Sequence, residues 1–255
     1  MSRLGIYASQ ISGHLSPTTP VLTGLLQWYD ASDTATITQS GGRASALSNK
    51  ASGYSYTVTQ ATSGQQPQVM SASVNGLTTL KFTSSRGDAM ANQTPYAPGN
   101  GATTMSFFLV AKMNNTTTGG LWMTGRDAGF GGYMPLSYFN SSKFTYQTGS
   151  GANVLNGSNT ISSGTLALHY VNQITSSSIS QRVITNGATD TTSRTPDATL
   201  NVGGGPGGYT PGVGFNTRGG YADFEFCEVL FYGSSISTQD RDDNITYLKA
   251  KWGIS

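Results

Sequence analysis

The sequence predicts an all-β fold: short strands in a sandwich or jelly roll, one short C-terminal helix, and an extended N-terminal arm. Three observations predict it. Runs rich in β-branched and aromatic residues recur at short intervals, with turn-forming gaps between them. Charged residues make up only 10% of the chain and there are 33 glycines, so the polar surface is mostly hydroxyl and amide. A helical signature is convincing only near the C-terminus.

Taken in order, residues 1–23 read as the arm. They are polar, carry Pro17 and Pro20, and lack sustained periodicity. Residues 24–255 read as one domain, because no linker or charge block divides them. Strands are expected at "LTTLKF" (77–82), "MSFFLVAKM" (105–113), "KFTYQT" (143–148), "TLALHYVNQI" (165–174) and "FEFCEVLFY" (224–232). In "QRVITNGATDTT" (181–192) two strand-like runs flank Asn186-Gly187, which predicts a hairpin with a tight primed turn. The helix is expected within "STQDRDDNITYLKAKWG". Ser237 suits the N-cap, with Asp240 three residues on. Acidic residues lie near the positive end of the helix dipole, and Lys249 and Lys251 near the negative end. Ile245, Leu248 and Trp252 form an apolar face, and Gly253 sits at C′.

Several function classes are excluded at this level. The net charge is +2 and the basic residues are scattered, so a nucleic-acid partner has no electrostatic footprint. No apolar run is long enough to span a membrane. A single cysteine, Cys227, excludes an intrachain disulfide, and the separation of His14 from His169 gives no zinc spacing. The N-terminus shows no apolar h-region or cleavage site, so a signal peptide is not expected and synthesis in a cytoplasm is.

Five stretches occur in a telling order: "LLQWYDASDTATIT" (25–38), "LSNKASG" (47–53), "QATSGQQPQ" (60–68), "NGLTTLKF" (75–82) and "EVLFYGSSISTQDRDDNITYLKAKWGI" (228–254). Together they resemble the concanavalin A-like, laminin-G-like jelly-roll domains of many phage and bacterial proteins. The opening motif is Trp28, Asp30, Ala31, Ser32 and Asp33; the closing one is Glu228, Ile236-Ser237 and Lys251-Trp252-Gly253. The start "LGIYASQISGHL" resembles that of phage virion proteins carrying such domains. The resemblance implies a virion structural protein rather than an enzyme, decorating a capsid or a neck or tail. Its expected partners are other virion proteins, further copies of itself, and a host surface glycan.

Laminarinase-type enzymes share this jelly roll and carry Glu-x-Asp-x-x-Glu on one strand, with the outer glutamates as nucleophile and acid/base. Asp223, Glu225 and Glu228 resemble that motif in spacing but not in residue type. A retaining mechanism needs carboxyl groups about 5–5.5 Å apart, and the shorter Asp223 side chain would stretch that gap. Simple alternation puts Glu228 on the face opposite Asp223 and Glu225 unless a bulge intervenes. The alternative is structural: Glu228 accepts hydrogen bonds from nearby backbone or from the Trp28–Asp30 segment and ties the ends of the domain together. Asp30 and Asp33 are candidate Ca²⁺ ligands, weighed against an Asx-type turn. Trp28 and Trp252 are expected to be structural.

Candidate glycan contacts are Trp122, Tyr133 and Tyr138 around "GRDAGFGG", and Tyr209, Phe215, Arg218 and Tyr221 in the glycine-rich stretch 203–221. Gly203, Gly205 and Gly208 match a dinucleotide fingerprint in spacing only, because Pro206 and Pro211 forbid the helix it needs. "RGD" (86–88) and the sequon Asn156-Gly157-Ser158 carry no weight without a secretory route. His169, with no Ser or Cys partner evident in sequence, reads as structural. Besides the virion role, a glycan-binding module and a glycoside hydrolase remain as alternatives.

Overall fold

A computed structural model describes residues 17–52, 56–92, 104–116, 118–123, 136–148, 153–174, 178–195, 211–214 and 220–255. Its strands are β1 (Leu25–Asp30), β2 (Ile37–Ser40), β3 (Arg43–Ser48), β4 (Thr57–Thr59), β5 (Gln68–Val74), β6 (Leu77–Phe82), β7 (Met90–Ala91), β8 (Thr104–Met113) and β9 (Gly119–Met123). Then come β10 (Leu136–Asn140), β11 (Lys143–Thr148), β12 (Asn153–Asn156), β13 (Leu166–Ile174), β14 (Ser178–Thr185), β15 (Ala188–Arg194), β16 (Gly212–Val213) and β17 (Phe224–Tyr232). One helix, α1 (Thr238–Trp252), ends the chain. The protein is mostly β with a C-terminal helix.

Most strands pair antiparallel along one continuous path, with β1 joined to β17 and β2 to β3 as side branches. It runs β15-β14-β13-β8-β17, then through β6 and β5 to β3, then β4-β7-β16-β9-β10-β11-β12. The ends of this path approach each other, where Arg194 Nη1 donates to Val154 O at 2.9 Å. The sheet therefore nearly closes on itself like a flattened barrel, instead of forming the two separate sheets expected from the sequence. The β5–β6 hairpin and the Arg43–Gln68 pairing carry hydrogen bonding round the corner, which leaves few open edges.

Two cores explain the strongest strand signals. In β8, Phe107, Leu109 and Ala111 point into the barrel, while Phe108 and Val110 belong to a second cluster that includes Leu248 and Trp252 of α1. Strand β17 divides likewise, with Phe224, Phe226, Val229 and Phe231 inside and Leu230 and Tyr232 toward the helix. Covered on both faces, these strands read as continuous apolar runs.

Local chemistry sets the boundaries. The Ser237 hydroxyl accepts from Asp240 N at 3.1 Å and donates to the Asp240 carboxylate at 2.8 Å. The N-cap is made as expected, with the return bond going to the hydroxyl rather than to the backbone N–H of a full capping box. Gly253 adopts φ +74° and ends the helix. The buried helix face is Asn244, Tyr247, Leu248 and Trp252, with Ile245 only partly covered, so it is more polar than the sequence pattern implies. At the predicted hairpin Thr185 pairs with Ala188, but of the two turn residues only Gly187 is left-handed, at φ +78°. Asn186 instead accepts a hydrogen bond from Ser255 N at 3.0 Å. Turns with both residues left-handed occur at Gly41-Gly42, Asn75-Gly76 and Ser141-Ser142.

Of the expected arm, residues 1–16 lie outside the described residues. Pro20 is buried. Val21 is tied at both ends: its N–H donates to Asn244 Oδ1 at 2.9 Å, and its carbonyl accepts from Tyr232 OH at 2.7 Å.

Candidate functional site

The carboxylates of β17 come first. A bulge falls between Phe226 and Glu228. Phe226 and Val229 both face the barrel core, so Glu225 and Glu228 both point the other way. The bulge thus gives the two glutamates one face, but that face is occupied. Glu228 has no exposure. Its Oε1 accepts from Trp28 Nε1 at 2.7 Å and Tyr247 OH at 2.8 Å; its Oε2 accepts from Trp252 Nε1 at 2.8 Å and pairs with Lys251 Nζ at 2.8 Å. Burial and the nearby Asp30 charge push its pKa up, against Lys251 and the Trp252 hydrogen bond.

Glu225 accepts from Lys112 Nζ at 2.9 Å, Thr79 Oγ1 at 2.7 Å and the Ser73 hydroxyl. Burial opposes its ionisation, but these donors outweigh it and hold the pKa below the usual carboxylate range. Asp223 accepts from Ser84 N at 2.8 Å, Ser84 Oγ at 2.6 Å and the Asn115 amide. Each carboxylate is saturated by its own donors, and Glu228 lies beneath α1. They do not open together into a cleft, so this strand does not supply the acid/base pair of a glycosidase.

The opening motif is also absorbed by structure. Asp30 Oδ1 accepts from Ser32 N at 3.0 Å and Ser32 Oγ at 2.6 Å, an Asx turn. Asp33 Oδ1 accepts from Ala35 N at 3.3 Å. Lys50 Nζ sits 3.0 Å from Asp30 and 2.8 Å from Asp33, and Lys251 Nζ 2.8 Å from Asp30. Ammonium groups stand where Ca²⁺ ligation by these aspartates would place a cation. Among the described residues no group of three or more His, Cys, Asp or Glu is placed to hold a metal.

The aromatic candidates separate. Trp122 is fully buried in the barrel core, with its ring centroid 5.6 Å from that of Tyr29. Tyr138, on the neighbouring strand, packs with Met123 in a different cluster. Tyr221 bridges to Gly120 beside β9. Tyr133, Tyr209, Phe215 and Arg218 lie outside the described residues. The Arg86-Gly87-Asp88 tripeptide is folded onto the body: Arg86 Nε pairs with Asp88 at 3.2 Å, and Asp88 is 1% exposed.

His169 has the hydroxyl partner that the sequence concealed. Its Nδ1 lies 2.8 Å from Ser137 Oγ and its Nε2 2.8 Å from Gln181 Oε1. Gln181 Nε2 donates to Leu155 O and Thr192 Oγ1, so its oxygen must face the imidazole. His169 then donates from Nε2 and accepts the Ser137 proton at Nδ1. Both are fully buried, so this is an interior polar tie, closed to substrate.

The described surface does contain a preformed pocket that sequence reasoning missed. It has a volume of about 510 Å³ and lies between the loop 159–165 and the β14–β15 hairpin. Ile161 and Val183 on its wall belong to the barrel core, so it sits at the barrel mouth. Mouths of β-barrels are common ligand sites, and pockets of roughly 300–1,000 Å³ suit small molecules. Thr160, Ser162, Thr165 and Thr185 add hydroxyls, and Asn159 and Asn186 amides. The loop is held from behind: the Asp190 carboxylate accepts from Ser158 N at 2.6 Å and Asn159 N at 3.0 Å. Burial opposes ionisation of Asp190, but the Ser158 and Asn159 bonds and Lys143 hold its pKa below the usual range. In sequence, "NTISSGT" looks like any other polar turn, so no local signal marked it.

Comparisons with known proteins bear on this geometry. No protein-family model matches the chain, and no curated protein matches it. Solved structures do. The Trypanosoma rangeli sialidase in complex with sialic acid matches with a TM-score of 0.57 and 11% identity, over 92% of this chain and 36% of that one. An arabinofuranosidase complexed with arabinofuranosyl-alpha-1,2-xylobiose matches with a TM-score of 0.60 and 15% identity, over 91% of this chain and 60% of that one. The chain therefore spans about a third of the sialidase and three-fifths of the arabinofuranosidase. At these identities the likeness establishes the fold. It goes against the expectation of a non-enzymatic virion protein, because these two solved structures, which share the fold over part of their length, are glycosidases.

Proposed function

We propose that this chain is a carbohydrate-active domain and that the mouth pocket is its glycan-binding site. The observation that carries the reading is a hydroxyl- and amide-lined pocket at the mouth of a barrel whose fold matches part of a sialidase and part of an arabinofuranosidase. Sugars present both C–H faces and hydroxyls, and the pocket offers Ile161, Leu166 and Val183 beside its polar groups. The same reading takes the nearly closed sheet as a flattened jelly roll of the concanavalin A-like kind. The inward–outward division of β8 and β17 supports it.

A glycoside hydrolase reading is favoured by the same likeness. In it, Asp223, Glu225 and Glu228 keep their structural roles. Two measurements on the full chain test the proposal. On an array of immobilised glycans and polysaccharides, saturable binding is expected, and no binding to any of them would refute the reading. In parallel, turnover of aryl glycosides by the wild type, Asp223→Asn and Glu225→Gln is measured. Any hydrolysis is expected to survive in both variants, and its loss in either variant while the fold is retained would restore the strand to catalysis.

A further inference from the structure

We infer that the mouth pocket is selective for a neutral saccharide unit and rejects acidic sugars such as sialic acid, an inference that rests on the glycan-binding reading above. The described lining residues include no Lys, Arg, Asp or Glu. An anion entering the pocket would shed water without meeting a cation, which is costly for a carboxylate. Behind the loop the Asp190 carboxylate, which accepts from Asn159 N at 3.0 Å, adds repulsion for an anion rather than attraction. A neutral sugar meets no such penalty, since Thr and Ser hydroxyls and Asn amides can both donate and accept.

The rim of the pocket is also tied by hydrogen bonds. Ile161 N donates to Ser142 O at 2.7 Å, Gly164 N to Met113 O at 2.6 Å and Thr165 N to Ser162 O at 3.2 Å. Asn186, on the opposite wall, is fixed by Ser255 N. A rim ordered before binding loses little conformational entropy on binding, which compensates for modest contacts. No aromatic residue is among the described lining residues, so the affinity rests on hydrogen bonding and shape rather than on ring stacking.

The test uses lactose and 3′-sialyllactose, which differ only by the acidic sugar, together with xylobiose, titrated into the full chain and followed by NMR shifts and calorimetry. Two variants accompany the wild type. Thr185→Val removes a hydroxyl while keeping a strand-favouring shape, and Ala188→Tyr fills the pocket from an exposed strand position. The expected result is binding of at least one neutral sugar, weakened about 2–10-fold by Thr185→Val, as one hydrogen bond implies, and abolished by Ala188→Tyr, with 3′-sialyllactose bound no better than its neutral core. Equal or tighter binding through the sialic acid unit would overturn the selectivity and leave the glycan reading standing. Binding indifferent to both variants would overturn the assignment to this pocket. Absence of binding by every sugar here and on the glycan array would remove the glycan reading itself.

Discussion

His169 shows how one residue can report on the interior. Burial against Phe107 and Phe144 lowers its pKa from 6.5 to about 4, with the Gln181 hydrogen bond opposing the shift. The folded imidazole therefore stays neutral where the unfolded one takes a proton. Because the unfolded state binds more protons, stability falls as pH drops from 6.5 toward about 4. Between pH 7 and pH 5 the loss is expected to be about 2 kcal/mol. Glu228, whose pKa is raised, acts in the opposite sense, so the comparison needs a variant. Urea denaturation at both pH values should show a flatter dependence in His169→Gln than in the wild type; an unchanged slope would show that the imidazole is not the titrating group. The Ser137 partner of His169 was illegible in the sequence, since it lies 32 positions away on β10, a strand that pairs with β9 and β11 and not with β13, so the two side chains meet only in the buried interior.

At the scale of elements, legibility depended on how local the signal was. The C-terminal helix was read nearly to the residue because its cap, dipole charges and C′ glycine are all near neighbours. Ser237→Ala is expected to cost about 1 kcal/mol, as loss of an N-cap does. Strand contacts are different. A Cβ at Gly119 would lie 2.3 Å from Ala222 N, a backbone atom more than a hundred positions on. Gly119→Ala is expected to cost more than the helix cap, roughly 2 kcal/mol or above, as forced overpacking does. Thermal melts of the two variants compare these directly, and a Gly119→Ala protein as stable as Ser237→Ala would contradict the close approach. The bulge in β17 was foreseen only as a condition, because alternation alone cannot say whether one residue is left unpaired.

For the whole molecule, Glu228 is the tie. It joins Trp28 near the start of the domain to Tyr247, Lys251 and Trp252 near its end. Glu228→Ala strips a buried acceptor from several donors and leaves Lys251 and Asp30 to rebalance. Breaking such a buried network by removing one partner is expected to cost roughly 3–5 kcal/mol. Chemical denaturation of Glu228→Ala measures it, and a loss under 1 kcal/mol would show that the ends are held by packing alone.

The sequence by itself determined the β class, the main strands, the capped helix and the absence of strong charge, because those depend on periodicity and near neighbours. Only the tertiary structure decided that the sheet runs on almost to closure, that the β17 carboxylates are spent on structural donors, and that an ordinary polar turn meets a hairpin to form a pocket. The physical reason is the same in each case. Hydrogen-bond saturation, burial and concavity arise from residues far apart in the chain, and no local pattern encodes which distant partner will arrive.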